Sequence, residues 1–215
     1  MNHYQRFIKR VFDIIFSTIG LFAFGWLIII LYFIAALDTG LSGFFIQERV
    51  GMNGKIVKII KLRTMRNIPG ISTSITTSND PRISRYGRLF RKLKLDELPQ
   101  LLNVFKGDMS FVGPRPDIPG YADKLKDKDR EILKIRPGIT GPATLFFRFE
   151  EGLLSKHEDP SFFNDSLIWP KKVMLNREYV ENYSFYKDIY YIIVTILSID
   201  IYKNRREAEF DYSVY

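Results

Sequence analysis

Hydrophobic positions fall into one long run near the amino terminus, followed by shorter segments in which polar residues intervene. Residues 11–37 read VFDIIFSTIGLFAFGWLIIILYFIAAL, and Asp13 is the single charged residue within them. An apolar run of at least about 18 residues is long enough to enter a bilayer. It follows the basic residues Arg6, Lys9 and Arg10 and lacks a small-x-small cleavage site, which favours a membrane anchor over a cleaved signal peptide.

The sequence pattern alone does not decide whether this anchor, residues 1–40, spans the membrane or enters and leaves it on one face. Basic residues, which favour the cytoplasmic face, flank it on both sides: Arg6, Lys9, Arg10, Arg49, Lys55, Lys58, Lys61 and Arg63. A re-entrant helix that breaks near Gly20 or Gly25 would return both flanks to one face, since glycine costs about 1 kcal/mol inside a helix. Periodicity alone slightly favours the alternative, a single straight span.

Residues 41–215 show the shorter patterns of an α+β domain. Residues 43–65, GFFIQERVGMNGKIVKIIKLRTM, predict two strands joined by a turn at residues 51–54. The serine- and threonine-rich run 71–81 predicts a loop. The remainder is predicted to be mostly helical, so the fold is a helical, membrane-associated domain with a small β element.

The spacing of apolar residues predicts four further helices. They are a basic amphipathic helix over 86–93, a helix that begins near Asp96, a charged helix over 122–134 and an apolar helix over 189–197. The first suits a membrane surface or a solvated face equally well. The last is too short to span a bilayer, so it lies amphipathically on a surface or in the core.

Composition narrows the classes of partner. The net charge of +8 and pI near 9.5 favour polyanions: nucleic acid, an anionic membrane surface or phosphorylated substrates. The absence of cysteine excludes a disulfide framework and thiolate metal sites. The two histidines, His3 and His157, are far apart in sequence, which disfavours a histidine-based metal centre. Aromatic residues lie mostly within apolar runs rather than among basic residues, so a nucleic-acid partner is not expected.

Two adjacent carboxylates, Asp96 and Glu97, interrupt the most basic part of the chain. Cations surround them in sequence: Arg82, Arg85, Arg88, Arg91, Lys92, Lys94, Lys106 and Arg115. One interpretation is an acidic helix start, with Asp96 as N-cap and Pro99 in the first turn, that complements the helix dipole. The other is chemical: cations keep Asp96 ionised as a nucleophile, and Glu97 binds Mg²⁺ beside a phosphate.

Two loops rich in proline and glycine carry arginines that suit phosphate. Arg115 lies in GPRP and Arg136 in RPGITG, where proline stiffens the backbone. The guanidinium group is adapted to bidentate contacts with phosphate. The glycines are expected to allow close approach of the backbone to a ligand.

The segments KLRTM (61–65), LDELPQLLNVFKGDMSFVGPRP (95–116) and RPGITG (136–141), in this order, resemble the bacterial sugar transferase family. These are monotopic phosphoglycosyl transferases that initiate the assembly of surface glycans. The resemblance implies Mg²⁺-dependent transfer of a phosphosugar from a UDP-sugar to polyprenol (undecaprenyl) phosphate, with release of UMP. It implies a phosphosugar–aspartate intermediate and a position on the cytoplasmic face of the bacterial inner membrane, in contact with anionic lipids. A homodimer is compatible with it.

The resemblance also assigns roles to residues. Asp96 would be the nucleophile and Glu97 the metal ligand, while Arg91 and Arg115 would hold substrate phosphate. Lys61, Arg63 and Arg136 would belong to the same site.

The sequence departs from the family pattern in two places. Gly25-Trp26 stands where Ser-Pro is expected, and glycine permits a bend without imposing it. Pro142-Ala143-Thr144 follows RPGITG where Trp-Ala-Gln is common, and an insert then extends to residue 172, which leaves the nucleotide and sugar contacts open.

Three other functions compete with this one. A non-catalytic basic scaffold would form no covalent adduct, a membrane-tethered nucleic-acid binder would need stacking platforms, and a conventional glycosyltransferase would release UDP.

Overall fold

The computed structural model describes residues 1–71, 76–77 and 80–209. The helices are α1 His3–Thr39, α2 Arg85–Lys92, α3 Gln100–Lys106, α4 Pro142–Phe146, α5 Glu150–Leu154, α6 Pro160–Phe163, α7 Trp169–Glu181, α8 Phe185–Ile196 and α9 Lys203–Glu209. The strands are β1 Phe44–Val50, β2 Ile56–Leu62, β3 Ser110–Val112 and β4 Gly138–Thr140. Single turns of other helix types cover Met52–Gly54, Leu95–Glu97, Ala122–Lys124 and Asn164–Ile168, and a longer 3-10 segment covers Asp127–Lys134. This helix-rich arrangement with small sheets agrees with the predicted α+β class.

The strands β1 and β2 form the predicted antiparallel hairpin. Phe44 pairs with Leu62 at one end of the ladder and Val50 pairs with Ile56 at the other. The turn between them contains Asn53 at φ 60°, a left-handed conformation that asparagine tolerates well. Of the predicted loop 71–81, residues 72–75 and 78–79 lie outside the described residues.

The two Pro-Gly loops meet through the parallel strands β3 and β4, in which Ser110 pairs with Gly138. A Cβ atom on Gly138 would lie 2.1 Å from the backbone nitrogen of Gly113, so only glycine allows this approach. The sequence predicted that these glycines make room for a ligand. The contact shown is instead between the loops themselves, which fixes the loop of Arg115 against that of Arg136.

Helix α1 is assigned without interruption over 37 residues, about 55 Å. It is long and apolar enough to cross a membrane. The break predicted near Gly20 or Gly25 is absent, because glycine tolerates helical angles as readily as it permits a bend. A Cβ atom on Gly20 would lie 3.1 Å from the Leu101 side chain, whereas Gly25 faces open space.

The amino-terminal half of α1 is fixed to the domain by buried polar groups. Lys9 Nζ lies 2.5 Å from Asp188 Oδ2 on α8. Asp13 Oδ1 accepts hydrogen bonds from the Ser110 hydroxyl at 3.0 Å and from the Phe111 amide at 3.1 Å. These contacts join the start of α1 to β3 and α8.

The carboxy-terminal half of α1 packs on the same domain through apolar side chains. Leu31 and Ala35 are buried in a cluster with Leu62 of β2 and Phe90 of α2. Both halves of the helix therefore contact residues 41–209.

One predicted helix has a different form. Residues 122–134 form two 3-10 segments instead of one charged α-helix, and Asp127, the first residue of the second segment, has φ 48°, which interrupts α-helical geometry. The predicted basic amphipathic helix is α2, in which Phe90 is buried and Leu89 is exposed, and Leu93 just after it is also exposed. The predicted apolar helix near the carboxy terminus is α8, which lies on the surface with Tyr186 and Ile196 exposed.

Candidate active site

The acidic pair lies in a 3-10 turn, Leu95–Glu97, between α2 and α3. Lys94 precedes the turn in a left-handed conformation at φ 56°. Pro99, not Asp96, is the N-cap residue of α3, so the predicted capping role of Asp96 is wrong. The left-handed residue reverses the chain after α2 and turns the Asp96 side chain inward, where it is buried.

Glu97 is the centre of an ion-pair network. Lys61 Nζ at the end of β2 lies 3.3 Å from Glu97 Oε1, and an Arg115 terminal nitrogen lies 3.4 Å from the same oxygen. Burial alone would raise the pKa of Glu97, but Lys61 and Arg115 outweigh burial and lower the pKa to about 2. The structure thus brings together Glu97, Lys61 and Arg115 from three separate predicted segments.

The pKa of Asp96 shifts in the opposite direction from that of Glu97. Burial raises its pKa, and the charge on Glu97 raises it further, against the opposing effects of cations such as Lys61 and Arg91. Asp96 Oδ1 is buried and accepts no hydrogen bond from the described residues. The cations do lower the pKa of Asp96, as predicted, but burial and the charge on Glu97 outweigh them, so the net shift is upward. An ionised carboxylate that is poorly solvated is a better nucleophile, so this environment is compatible with the predicted role of Asp96.

Arg91 at the end of α2 lies near Asp96 and is held by two other residues. A terminal nitrogen forms an ion pair with Glu151 Oε1 on α5. The other terminal nitrogen lies 3.5 Å from the Thr64 hydroxyl. The predicted phosphate ligand thus already has a carboxylate partner.

Two predicted site residues lie elsewhere. Arg63 Nε donates to the Ser42 carbonyl at 2.7 Å, beside the connection from α1 to β1. Arg136 Nε donates to the Gly107 carbonyl at 2.8 Å, at the end of α3. Among the described residues neither pairs with Asp96 or Glu97, and their role in binding phosphate stays a prediction.

The structure adds residues that the sequence did not identify: Arg49, Asp117, Glu150, Glu151 and Lys172. Lys172 Nζ donates to Glu150 Oε1 at 2.7 Å. Burial raises the pKa of Asp117 to about 6, although Lys172, Arg49 and Arg115 oppose the rise. Burial also lowers the pKa of Arg49 to about 10, with a contribution from Arg115.

A weak signal for some of these residues was present in the sequence. Glu150, Glu151 and Lys172 come from the insert after Thr144, which contains a second adjacent acidic pair close to RPGITG. Nothing in the local pattern connects that pair with Arg91, 60 residues earlier.

The carboxylates suit a hard cation that also binds substrate. Mg²⁺ in proteins takes one or two carboxylates and completes its shell with water and phosphate oxygens. The buried Asp96 Oδ1, which has no hydrogen-bond partner among the described residues, and the adjacent Glu97 supply such a set. No group of three or more candidate ligands exists in the described part of the chain, so a cage made of protein alone is absent there.

Comparison with known proteins identifies the family of the chain. The profile of the family described as bacterial sugar transferase matches residues 4–200. An uncharacterised sugar transferase of Bacillus subtilis, EpsL, is 33% identical over 192 residues, which cover 89% of this chain and 87% of that protein. The UDP-glucose:undecaprenyl-phosphate glucose-1-phosphate transferase of Escherichia coli is 32% identical over 89% of this chain and 40% of its own length.

A third relative, the undecaprenyl-phosphate glucose phosphotransferase of Komagataeibacter xylinus, is 34% identical over 87% of this chain and 35% of its own length. The chain thus spans well under half of these two named transferases but most of the Bacillus protein. With a profile match over nearly its full length, the chain belongs to the bacterial sugar transferase family.

Proposed function

We propose that this chain transfers a sugar-1-phosphate from a UDP-sugar to undecaprenyl phosphate and releases UMP. The names of two relatives describe such phosphotransferases and support the general reaction. The observation that carries the proposal is the pair of adjacent carboxylates with opposite electrostatics: Glu97 is paired with Lys61 and Arg115, whereas Asp96 is buried with an oxygen that accepts no hydrogen bond from the described residues.

The chemistry proceeds in two displacements at one phosphorus atom. An Asp96 carboxylate oxygen attacks the phosphorus that bears the sugar, the bond to the UMP oxygen breaks, and UMP leaves with the electron pair. An oxygen of undecaprenyl phosphate then attacks the same phosphorus and expels the Asp96 carboxylate. No proton has to move in either step. This suits the proposed site, whose residues do not include His3 or His157. Arg115, Lys61 and Arg91 stabilise the charge on the phosphoryl oxygens.

Glu97 and Asp96 are the residues that would hold Mg²⁺ together with a substrate phosphate. A bound Mg²⁺ supplies charge neutralisation on the diphosphate. Glu97 also orients Lys61 and Arg115, because it forms ion pairs with both side chains.

The proposed place of the reaction is a membrane surface, reached from one side. Both halves of α1 pack against residues 41–209, while its remaining surface presents exposed apolar residues that include Phe22, Trp26 and Phe33. A span that leaves the catalytic domain on one side of the bilayer would separate the two ends of α1. We therefore place both ends on the cytoplasmic face of the inner membrane, with apolar side chains of α1 and α8 in the lipid.

The test is incubation of the membrane-reconstituted chain with labelled UDP-sugars and undecaprenyl phosphate, followed by analysis of the nucleotide product. We expect UMP, and in the absence of acceptor a phosphosugar adduct on Asp96 in the mass spectrum. Asp96→Asn abolishes both, and EDTA stops UMP release. UDP as the product would indicate a conventional glycosyltransferase. An adduct-free chain that releases no nucleotide with any UDP-sugar would contradict the proposal.

A further inference from the structure

The insert after Thr144 places a carboxylate directly on a predicted phosphate ligand. Glu151 of α5 forms an ion pair with the Arg91 guanidinium, whose charge is close enough to Asp96 to affect its pKa. A carboxylate and a phosphate bind the same edge of a guanidinium group through the same N–H donors. Glu151 therefore occupies a position on Arg91 that a substrate phosphate can take.

The residues around Glu151 show how its carboxylate is kept close to Arg91. The Glu151 side chain is 46% exposed, whereas Leu153 and Leu154, two and three residues later in α5, are buried in an apolar cluster. The buried leucines fix the α5 backbone, and the exposed side chain can rotate into solvent without moving that backbone. Glu151 is thus tethered beside Arg91 at a high effective concentration.

The neighbouring Glu150 extends the same arrangement across the site. Its carboxylate pairs with Lys172 of α7, and its charge also acts on Arg115. Helix α5 therefore contacts a cation of α2 and a cation of α7.

On this basis, and resting on the proposed function, we propose that Glu151 is an internal competitor for phosphate at Arg91 that sets nucleotide affinity. A donor diphosphate has charge enough to engage Arg91 and Arg115 together and displaces Glu151. The UMP product has a single phosphate and competes less well, so the return of Glu151 to Arg91 favours product release.

The test measures binding of UMP to the full chain in lipid nanodiscs by titration calorimetry. Glu151→Gln removes the competing charge and keeps the side-chain size, and we expect UMP to bind about 2- to 5-fold more tightly, as for the loss of a partly exposed ion pair. In the same variant we expect a lower KM for the UDP-sugar donor and stronger inhibition by UMP. Glu131→Gln, which removes the exposed partner of Lys134 on the 3-10 segment Asp127–Lys134, leaves UMP affinity unchanged.

A second pair of variants tests whether the effect acts through Arg91. In an Arg91→Gln background, Glu151→Gln no longer changes UMP affinity. Unchanged or weaker UMP binding by the Glu151→Gln single variant contradicts the competitor role, as does a full effect without Arg91. A wild-type chain that binds no uridine nucleotide and forms no adduct contradicts the proposed function instead.

Discussion

At the scale of single residues, the notable feature is that neighbours in sequence have opposite electrostatics. Glu97 lies between Lys61 and Arg115, so its charge stabilises the fold. Asp96 is buried beside the charge of Glu97, so its own ionisation opposes folding. This contrast fits a division of labour in which one carboxylate orders the cations and the other reacts.

The contrast predicts stability changes of opposite sign. Asp96→Asn removes an ionisation that burial disfavours, and we expect a gain on the order of 1 kcal/mol, or about 2–4 °C in Tm, together with loss of transfer. Glu97→Gln leaves Lys61 and Arg115 without their carboxylate, and we expect a loss of roughly 3 kcal/mol. Thermal unfolding of both variants in the same detergent at pH 7 provides the measurement. A destabilised Asp96→Asn variant would contradict the assigned electrostatics.

The pH dependence of these differences follows from the sign of each pKa shift. The pKa of Asp96 is raised on folding, so its destabilising effect is present above the folded-state pKa and disappears as the pH falls toward the value in the unfolded chain. The Tm advantage of Asp96→Asn therefore shrinks on acidification. The pKa of Glu97 is lowered to about 2, so its stabilising effect holds above the ordinary value of a glutamate and is lost as the pH falls toward 2. A Tm difference for Asp96→Asn that grows in acid would be inconsistent with these shifts.

At the scale of elements, the sequence predicted the helices and strands that depend on short-range patterns of residues. The hairpin β1–β2 followed from two strand-like segments on either side of a turn with glycine and asparagine, and α1 from its continuous apolar run. The form of the acidic turn did not follow, because it depends on Lys94 in a left-handed conformation that sequence rarely reveals in a lysine.

The membership of the site shows the same limit. Glu97 and Arg115 were predicted from the chemistry of their motifs, and Lys61 from the resemblance to the family. Arg136 was expected beside them, but its guanidinium binds the carbonyl of Gly107, a contact set by packing at the end of α3. The partners from α5 and α7 were missed since they approach the site only through tertiary structure.

Two glycine substitutions test the assigned roles of these elements. Gly138→Ala forces a Cβ atom into the Gly113 backbone, and we expect destabilisation of about 1–3 kcal/mol and loss of transfer as the arginine loop shifts. Gly25→Ala is the control in α1, where open space surrounds the position and alanine favours a helix by about 1 kcal/mol. Denaturant unfolding compares the two. A tolerated Gly138→Ala would contradict the close approach of the loops.

At the scale of the whole molecule, α1 and residues 41–209 behave as one packed unit. The helix is held at its start by Lys9 and Asp13 and near its end by Leu31 and Ala35. An anchor joined only by a flexible linker would leave the site free to tilt, whereas this packing fixes the height of Asp96 relative to the apolar surface.

The absence of cysteine allows this arrangement to be tested directly. Single variants His3→Cys and Ser42→Cys place a thiol at each end of α1, and Phe22→Cys places one at a position that is 86% exposed on the apolar surface. With a membrane-impermeant maleimide we expect no labelling of the end positions in intact spheroplasts and labelling of both after lysis. Phe22→Cys stays unlabelled in both conditions because lipid covers it. Labelling of one end in intact spheroplasts would establish a spanning helix.

The ion pair between Lys9 and Asp188 also imposes an order on biogenesis. The two residues are separated by 179 positions, so a ribosome that adds 5–20 residues per second completes the second roughly 10–35 s after the first. During that interval the apolar helix has been synthesised, but Lys9 has no carboxylate partner and the helix cannot yet pack on α8. The nascent chain must therefore be kept from aggregating, by the lipid surface or by a chaperone, until Asp188 has been synthesised.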